Sequence, residues 1–178
     1  MDDRTRRSRE RTDGTLVAHA ADYGTFPVRE LVWELSPAEH DRLVERFEAE
    51  AAGGAGVWTR GTTPNGEPGV VCVRREGEAA WSEPGGKRVP GETFRTAAVR
   101  ETREEAGIEV RIEDVLTVHV VTHVAPERPP VVSPIVIFDG RHEARVPDAG
   151  DSEIAEARWF TERPEPLLYD DLRTFPMG

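Results

Sequence analysis

The chain is poor in cysteine, in lysine and in long apolar segments. Its 178 residues include a single cysteine, Cys72, and a single lysine, Lys87. One cysteine excludes an internal disulfide, and its place in the apolar run 70–73 favours a buried thiol over a nucleophile. The apolar runs fall far short of the ~20 residues that span a membrane, and no signal-peptide pattern follows Met1. We therefore expect a cytoplasmic protein that makes no membrane contact.

Negative charge dominates the composition. There are 34 acidic and 23 basic residues, for a net charge of -11. Nucleic acids and membrane surfaces are themselves anionic, so this balance disfavours both as partners. An acidic, lysine-poor composition also resembles that of proteins from salt-loving organisms. We hypothesise that salt stabilises the fold, because it screens the self-repulsion.

The N-terminal third divides into an arm and an extension. Residues 1–24 are polar and lack an apolar period, which predicts a disordered arm. Residues 25–55 combine a strand-like segment with a helix from Ser36 to about Ala52, because Ser36, Pro37 and Glu39 form an N-cap, a first-turn proline and a capping box. We expect this extension to pack on the core, and homodimer formation is its alternative role.

Three glutamates gather on one face of the next predicted helix, which runs from about Thr93 to Ala106. At about 100° per residue, Glu101 and Glu105 lie about 40° apart, and Glu104 lies about 60° to the other side of Glu101. Like charges at this spacing repel each other. A hard divalent cation removes the repulsion, since Mg²⁺ prefers oxygen ligands. The alternative is a solvated acidic helix face.

The whole stretch Gly86–Ile108 resembles the Nudix box, G-x5-E-x7-R-E-U-x-E-E-x-G-U with U apolar. Two residues depart from the usual pattern: Thr102 occupies the first apolar position, and Glu83 precedes Pro84 where the family often has leucine. Neither change removes a metal ligand. The matching positions are Gly86, Glu92, Arg100, Glu101, Glu104, Glu105, Gly107 and Ile108.

The resemblance implies the Nudix fold for residues 56–178, an α/β (α+β) architecture with a mixed β-sheet sandwiched between α-helices. It also implies a hydrolase that uses Mg²⁺ or Mn²⁺ to cleave a nucleoside diphosphate linked to another group. The metal ligands would be the Gly86 carbonyl and the side chains of Glu101, Glu104 and Glu105. Arg100 would hold these carboxylates in place.

The water-activating base is open between Glu101 or Glu105 and a carboxylate of the loop before Trp159. We favour Glu153, whose surroundings resemble the family's run at that position. The other acids of that loop are Glu143, Asp148 and Asp151.

The nearest cations for a substrate phosphate are Arg74, Arg75 and Arg88, of which we favour Arg88 and then Arg74. His119 and His123 share one face of a predicted strand and are more typical of a core or pocket than of a metal pair.

The sequence favours one substrate class but leaves alternatives open. A proline past the box is typical of family members that act on ADP-ribose, and Pro126 lies near that position. Nucleoside triphosphates and dinucleoside polyphosphates are the alternative substrates. Two other classes remain, a non-catalytic nucleotide-binding domain and an interaction protein built on the extension, but the intact set of box glutamates disfavours the first.

Overall fold

The structure, a computed structural model, describes residues 1–143, 146–150 and 153–178, with Glu143 described by its backbone alone. The helices are α1 Asp3–Tyr23, α2 Pro37–Glu48 and α3 Phe94–Ala106, followed by a 3-10 helix at Asp170–Thr174. The strands are β1 Val28–Glu34, β2 Gly54–Thr62, β3 Pro68–Arg75, β4 Trp81–Ser82, β5 Gly85–Lys87, β6 Arg111–Ala125, β7 Arg128–Glu143 and β8 Ile154–Phe160.

Within the described residues, eight strands form one mixed sheet in the order β1-β6-β7-β2-β3-β4, with β5 paired to β2 and β8 paired to β3. The β1–β6 and β7–β2 pairs are parallel and the others are antiparallel. Side chains alternate between the two faces of each strand. The fold class is therefore α+β with a mixed sheet between helices, as predicted.

The two faces of the sheet carry different helices. Val136 and Phe138 of β7 pack in one cluster with Phe94 of α3 and with Leu16 and Tyr23 of α1. The opposite face of β7 carries Val131, which packs with α2, and Ile137, which packs with Leu172 and Phe175 of the C-terminal segment. We call these the α3 face and the α2 face.

The box helix α3 begins and ends where the sequence predicts. Thr93 is its N-cap, and its hydroxyl accepts a hydrogen bond from the Thr96 backbone N–H at 3.1 Å. Gly107 ends the helix in the left-handed region with φ 66°, which glycine adopts without a Cβ clash. Thr102 is buried, and its hydroxyl donates to the Ala98 carbonyl at 2.8 Å. This bond explains how a polar residue occupies an apolar position of the box.

The expected disordered arm is instead the 21-residue helix α1. The residues of α1 that contact the sheet recur every three or four positions. Several of them are small and polar, so the sequence shows no apolar period. Ser8 accepts from the Val132 backbone N–H at 3.0 Å, and the Thr5 hydroxyl donates to the Pro130 carbonyl at 2.6 Å. Ser8 and Thr12 are fully buried against β7. The helix is therefore held by hydrogen bonds to a strand as well as by apolar packing.

The N-terminal extension belongs to the same sheet and core. Strand β1 pairs with β6, and α2 has the predicted capping box of Ser36 and Glu39. The helix ends at Glu48 rather than at about Ala52 as predicted, because Glu50 takes a positive φ of 59°. None of the helices in the described part of the chain combines the length and apolar character that a bilayer crossing requires.

Candidate active site

Arg100 connects the carboxylates of the box. Its Nη1 lies 2.8 Å from Oε1 of Glu101 and 3.0 Å from Oε2 of Glu104. Its Nε and Nη2 donate to the two oxygens of Glu92 at 2.6 and 3.0 Å, and Nη2 also donates to the Lys87 carbonyl at 3.1 Å. The hydrogen bonds from Arg100 lower the pKa of Glu92. One guanidinium thus fixes the helix and the glycine loop relative to each other.

Glu105 is the most buried of the four box glutamates, with 3% of its side chain exposed. Its Oε1 lies 2.9 Å from Nη2 of Arg75, and its Oε2 accepts from the Gly85 backbone N–H at 2.9 Å. Arg75 also donates to the Gly85 carbonyl at 2.7 Å. Burial raises the pKa of Glu105 to about 7, although Arg75 and the Gly85 N–H oppose this shift.

Gly86 permits the close approach of Glu101 to the glycine loop. A Cβ atom at Gly86 would lie 2.6 Å from Cδ of Glu101 and 2.7 Å from its Oε1. Those distances are shorter than non-bonded atoms adopt, so any larger residue would displace the carboxylate. Burial raises the pKa of Glu101, and its hydrogen bond from Arg100 only partly offsets this.

The donor set suits a hard divalent cation. In the described residues, no three Asp, Glu, His or Cys side chains converge as they stand on a point that could hold a metal. Arg100 and Arg75 lie between the carboxylates instead. Burial nevertheless keeps the pKa values of Glu101 and Glu105 above the ordinary value, so the two arginines do not fully offset the loss of water around these carboxyl groups. Carboxylate and carbonyl oxygens are the ligands that Mg²⁺ prefers.

The sequence of this chain matches the model of a known protein family. The model described as the NUDIX domain matches residues 52–171. The chain belongs to the NUDIX family. With every glutamate of the box in place, it is a Nudix hydrolase.

Solved structures of Nudix proteins are similar to this chain. An Ap4A hydrolase of C. elegans in a binary complex shares 21% identity over 60% of this chain and 77% of that chain, with a TM-score of 0.45. A Nudix hydrolase of Nitrosomonas europaea shares 24% identity over 64% of this chain and 59% of its own, with a TM-score of 0.46. The Nudix domain of Shewanella oneidensis NrtR, complexed with ADP ribose, shares 15% identity over 76% and 88%, with a TM-score of 0.46. A search of curated proteins gives no match.

Arg88 was expected to bind a substrate phosphate, but its guanidinium is committed to the fold. It donates to the carbonyl oxygens of Glu50, Ala52 and Glu92 at 2.9 to 3.3 Å. It also lies 4.1 Å from the centre of the Phe94 ring. We therefore assign Arg88 to joining the box loop, the end of α2 and the start of α3, rather than to the substrate.

Arg74 and Arg75 point to different partners, as neighbours in a strand do. Arg74 donates to the Glu78 carbonyl at 3.1 Å and to Glu156 at 3.4 Å. Arg75, which we expected less than Arg88 and Arg74 to bind a phosphate, is the one of these three that contacts a box carboxylate. Strand alternation could have placed one of the pair at the site, but not decided which.

Two candidate bases of the loop before Trp159, Asp148 and Glu153, lie within the described residues. The Asp148 backbone N–H donates to the Ala106 carbonyl at 3.0 Å, and the Glu153 carbonyl accepts from the Glu76 N–H at 2.9 Å. Burial lowers the pKa of Arg75, but the charges of Glu105 and then Glu153 outweigh this and raise it. Glu153 therefore acts on the same arginine as Glu105. Asp151 and the Glu143 side chain lie outside the described residues.

The two strand histidines have separate partners. His119 lies 2.6 Å from Asp171 of the C-terminal 3-10 helix, and His123 lies 2.9 Å from the Ser133 hydroxyl. Both are buried, as expected for core or pocket histidines. Trp58 is a core residue whose indole N–H donates to the Pro176 carbonyl at 2.6 Å.

Proposed function

We propose that this Nudix hydrolase cleaves the diphosphate bond of a nucleoside diphosphate linked to another group, with Mg²⁺ or Mn²⁺ as its cofactor. The observation that supports this most strongly is the packing of the Glu101 and Glu105 carboxylates against Gly86 and Gly85. Buried carboxylates with raised pKa values beside a glycine loop suit a cation that binds phosphate oxygens.

The metal would be held by the side chains of Glu101, Glu104 and Glu105 and by the Gly86 carbonyl. When bound, it would neutralise phosphate oxygens and lower the pKa of water. Arg100 would position Glu101 and Glu104, since it contacts both. Arg75 would do the same for Glu105 and the Gly85 backbone. A displacement of about 1 Å in such a site costs on the order of 100-fold in rate.

Glu153 remains our choice for the general base. Its charge acts on Arg75, which in turn contacts Glu105, so it lies on the side of the site where β3 meets α3. Glu101 and Glu105 are the alternatives. If Glu153 is the base, Glu153→Gln should abolish most activity and change the pH profile of kcat. A small effect with the same profile would return the role to Glu101 or Glu105.

ADP-ribose-like compounds are the substrates we favour, and Arg74 stays a candidate contact for their phosphates. The alternatives are nucleoside triphosphates and dinucleoside polyphosphates. The full chain should be incubated with members of all three classes, with Mg²⁺ or with EDTA, and the products separated by chromatography. We expect ADP-ribose to give AMP and ribose 5-phosphate only with metal. No hydrolysis of any member with Mg²⁺ or Mn²⁺ would favour a non-catalytic binding domain instead.

A further inference from the structure

Strand β1 forms one edge of the sheet, and β6 is its only partner among the described strands. The ends of this parallel pair show which way the backbone points. The Val118 N–H donates to the Pro27 carbonyl at 3.1 Å, and the Leu35 N–H donates to the Val124 carbonyl at 2.8 Å. Backbone groups of successive residues point to opposite sides of a strand. The odd-numbered residues of β1 therefore direct their backbone groups towards β6.

The outer edge of β1 is formed by the backbone groups of its even-numbered residues, which are Val28, Glu30, Val32 and Glu34. Within the described residues, no hydrogen bond reaches these N–H and C=O groups. Val28 and Val32 are also 46% and 68% exposed. An open row of backbone donors and acceptors with apolar side chains beside it is a template for pairing with another strand.

The usual devices that block an edge strand are weak in β1. Its pairing with β6 runs without a bulge from Val28 to Glu34, and the strand contains no proline. Charged side chains are a further device, and β1 carries Glu30 and Glu34 at its edge. Glu30 lies 3.7 Å from Arg9 of α1, which offsets its charge. The edge is therefore straight and open.

We propose that β1 pairs antiparallel with β1 of a second copy of this chain, around a two-fold axis at Leu31, so that two sheets become one. A dimer with two-fold symmetry uses the same surface on both copies and closes on itself. This proposal concerns assembly and does not depend on the function proposed above.

The sequence of β1 selects the position of the axis. With the axis at Leu31, all seven residues of the strand have a partner and no like charges face each other. The facing pairs are then Val28 with Glu34, Arg29 with Trp33, Glu30 with Val32, and Leu31 with itself. An axis at Glu30 would place Glu30 opposite itself, and an axis at Val32 would place Glu30 opposite Glu34. Like charges directly opposite each other destabilise an antiparallel pair.

The facing of Arg29 and Trp33 adds a specific attraction, which occurs twice in the dimer. Arg29 lies 3.6 Å from Asp171, and 44% of its side chain stays exposed. The Trp33 ring lies 5.7 Å from the His123 ring. A guanidinium over an indole ring is the most favourable cation–π pair. Trp33 also lines a cavity beside the glycine loop, so the interface reaches the outer wall of the candidate site.

The first test is the mass of the full chain in solution, measured by light scattering during size-exclusion chromatography. About 0.5 M KCl screens the repulsion between two copies, each of net charge -11. Val32→Glu places a carboxylate opposite Glu30 of the second copy. Val146→Glu is the matched control, because Val146 is 70% exposed, against 68% for Val32, and lies between β7 and β8.

We expect the wild type and Val146→Glu to have twice the 19.8 kDa mass of one chain. Val32→Glu should raise the dissociation constant of the dimer at least tenfold, because two pairs of like charges then face each other. A wild type that is monomeric at about 100 μM would overturn the proposal, since a specific interface of micromolar affinity would be mostly occupied. An equally stable dimer in Val32→Glu would also overturn it.

The second test is oxidative cross-linking, which reports the axis itself. Leu31 is the non-hydrogen-bonded pair at the axis, where the two Cα atoms of such a pair lie about 4.5 Å apart. That separation suits a disulfide. Leu31→Cys should therefore form a disulfide-linked dimer. The wild type should form none, because Cys72 is buried.

Val28→Cys is the control for the register. In the proposed dimer Val28 faces Glu34, so the two copies of residue 28 lie six residues apart along the strands, or about 20 Å. Val28→Cys should stay unlinked, and cross-linking as efficient as that of Leu31→Cys would overturn the proposed axis. If Leu31→Cys does not fold, the comparison of Val32→Glu with Val146→Glu decides, because both valines are exposed.

Discussion

Glu83 links stability to pH at the scale of a single residue. Its pKa is about 8 in the folded chain, against 4.5 for an ordinary glutamate. The folded state therefore holds the proton more tightly than the unfolded state, so this contribution to stability is complete below pH 4.5 and is lost as the pH rises towards 8. The limiting slope is on the order of 1 kcal/mol per pH unit.

The melting temperature of the wild type should consequently fall relative to that of Glu83→Gln between pH 5 and pH 8. Thermal melting of both proteins in EDTA measures this difference, and the box glutamates, present in both, cancel from it. Asp171, Glu105 and Arg75 are the charged groups that act on Glu83 and are also unchanged in the variant. Parallel curves for the two proteins would show that Glu83 is ionised at neutral pH.

Arg75 is expected to position Glu105 rather than to add stability alone. Arg75→Gln leaves a buried carboxylate and the Gly85 carbonyl without their shared donor. We expect kcat to fall by about 10- to 100-fold with little change in KM, as measured by steady-state kinetics on the best substrate. Arg111→Gln removes an exposed arginine that lies 2.8 Å from Glu113 outside the box, and it is the control that should retain kcat. A normal kcat in Arg75→Gln would contradict the positioning role.

Helix α1 is the element whose removal should matter most for the fold. Deleting residues 1–24 exposes part of the α3-face cluster and leaves Val132 without the Ser8 acceptor. We expect the melting temperature to fall by about 10 °C, since about 1 kcal/mol corresponds to roughly 2–4 °C in a chain of this size. Asp13→Ala, at an exposed position of the same helix, is the control. An unchanged melting temperature would show that α1 adds nothing to the stability of the fold.

The elements that the sequence predicts well are those with local signals. Helix α3 has a threonine cap and a glycine stop, and α2 has a capping box, so their positions follow from short stretches. Helix α1 lacks an apolar period because Thr5, Ser8 and Thr12 contact β7 through hydrogen bonds. Only the partner strand, more than 100 residues away in sequence, reveals that these polar residues are buried.

The candidate site is likewise only partly predictable from the sequence. The box predicts which carboxylates approach the glycine loop, because helical spacing places them on one face. It does not predict that the Arg88 guanidinium donates its hydrogen bonds to backbone carbonyls, or that Arg75 contacts Glu105. Glu83 stood out in the sequence only as a departure from the usual leucine, and its burial depends on strands and segments far apart in the chain.

At the scale of the whole molecule, the extension and the Nudix domain share one sheet. Strand β1 forms the edge of this sheet beside β6. Helix α2 and the C-terminal segment both line the cavity beside the glycine loop. Homodimer formation, the alternative role of the extension, stays a hypothesis, and the cytoplasmic location stays a prediction.

We expect the excess of acidic residues to make the stability of the whole chain depend on salt. At 1 M salt the screening length is ~3 Å, against ~10 Å at 0.1 M, so self-repulsion at a net charge of -11 should weaken. We expect the melting temperature to rise as KCl increases from 0.1 to 2 M. Thermal melting across this series measures it, and a flat response would remove the hypothesis of adaptation to salt.

The central claim is that the box carboxylates support metal-dependent cleavage of a diphosphate bond. Its most direct test is the rate of ADP-ribose hydrolysis by Glu104→Gln at saturating Mg²⁺. Glu104 is half-exposed and lies 3.0 Å from Arg100, while Glu109 is exposed and lies 3.0 Å from Arg103 outside the box. Glu109→Gln is therefore a matched control for losing one charge beside an arginine.

We predict that Glu104→Gln melts within a few degrees of the wild type but loses at least 100-fold in kcat, whereas Glu109→Gln keeps the wild-type rate. If the wild type hydrolyses the substrate and Glu104→Gln does so at nearly the same rate, the assignment of the box carboxylates to the metal is wrong.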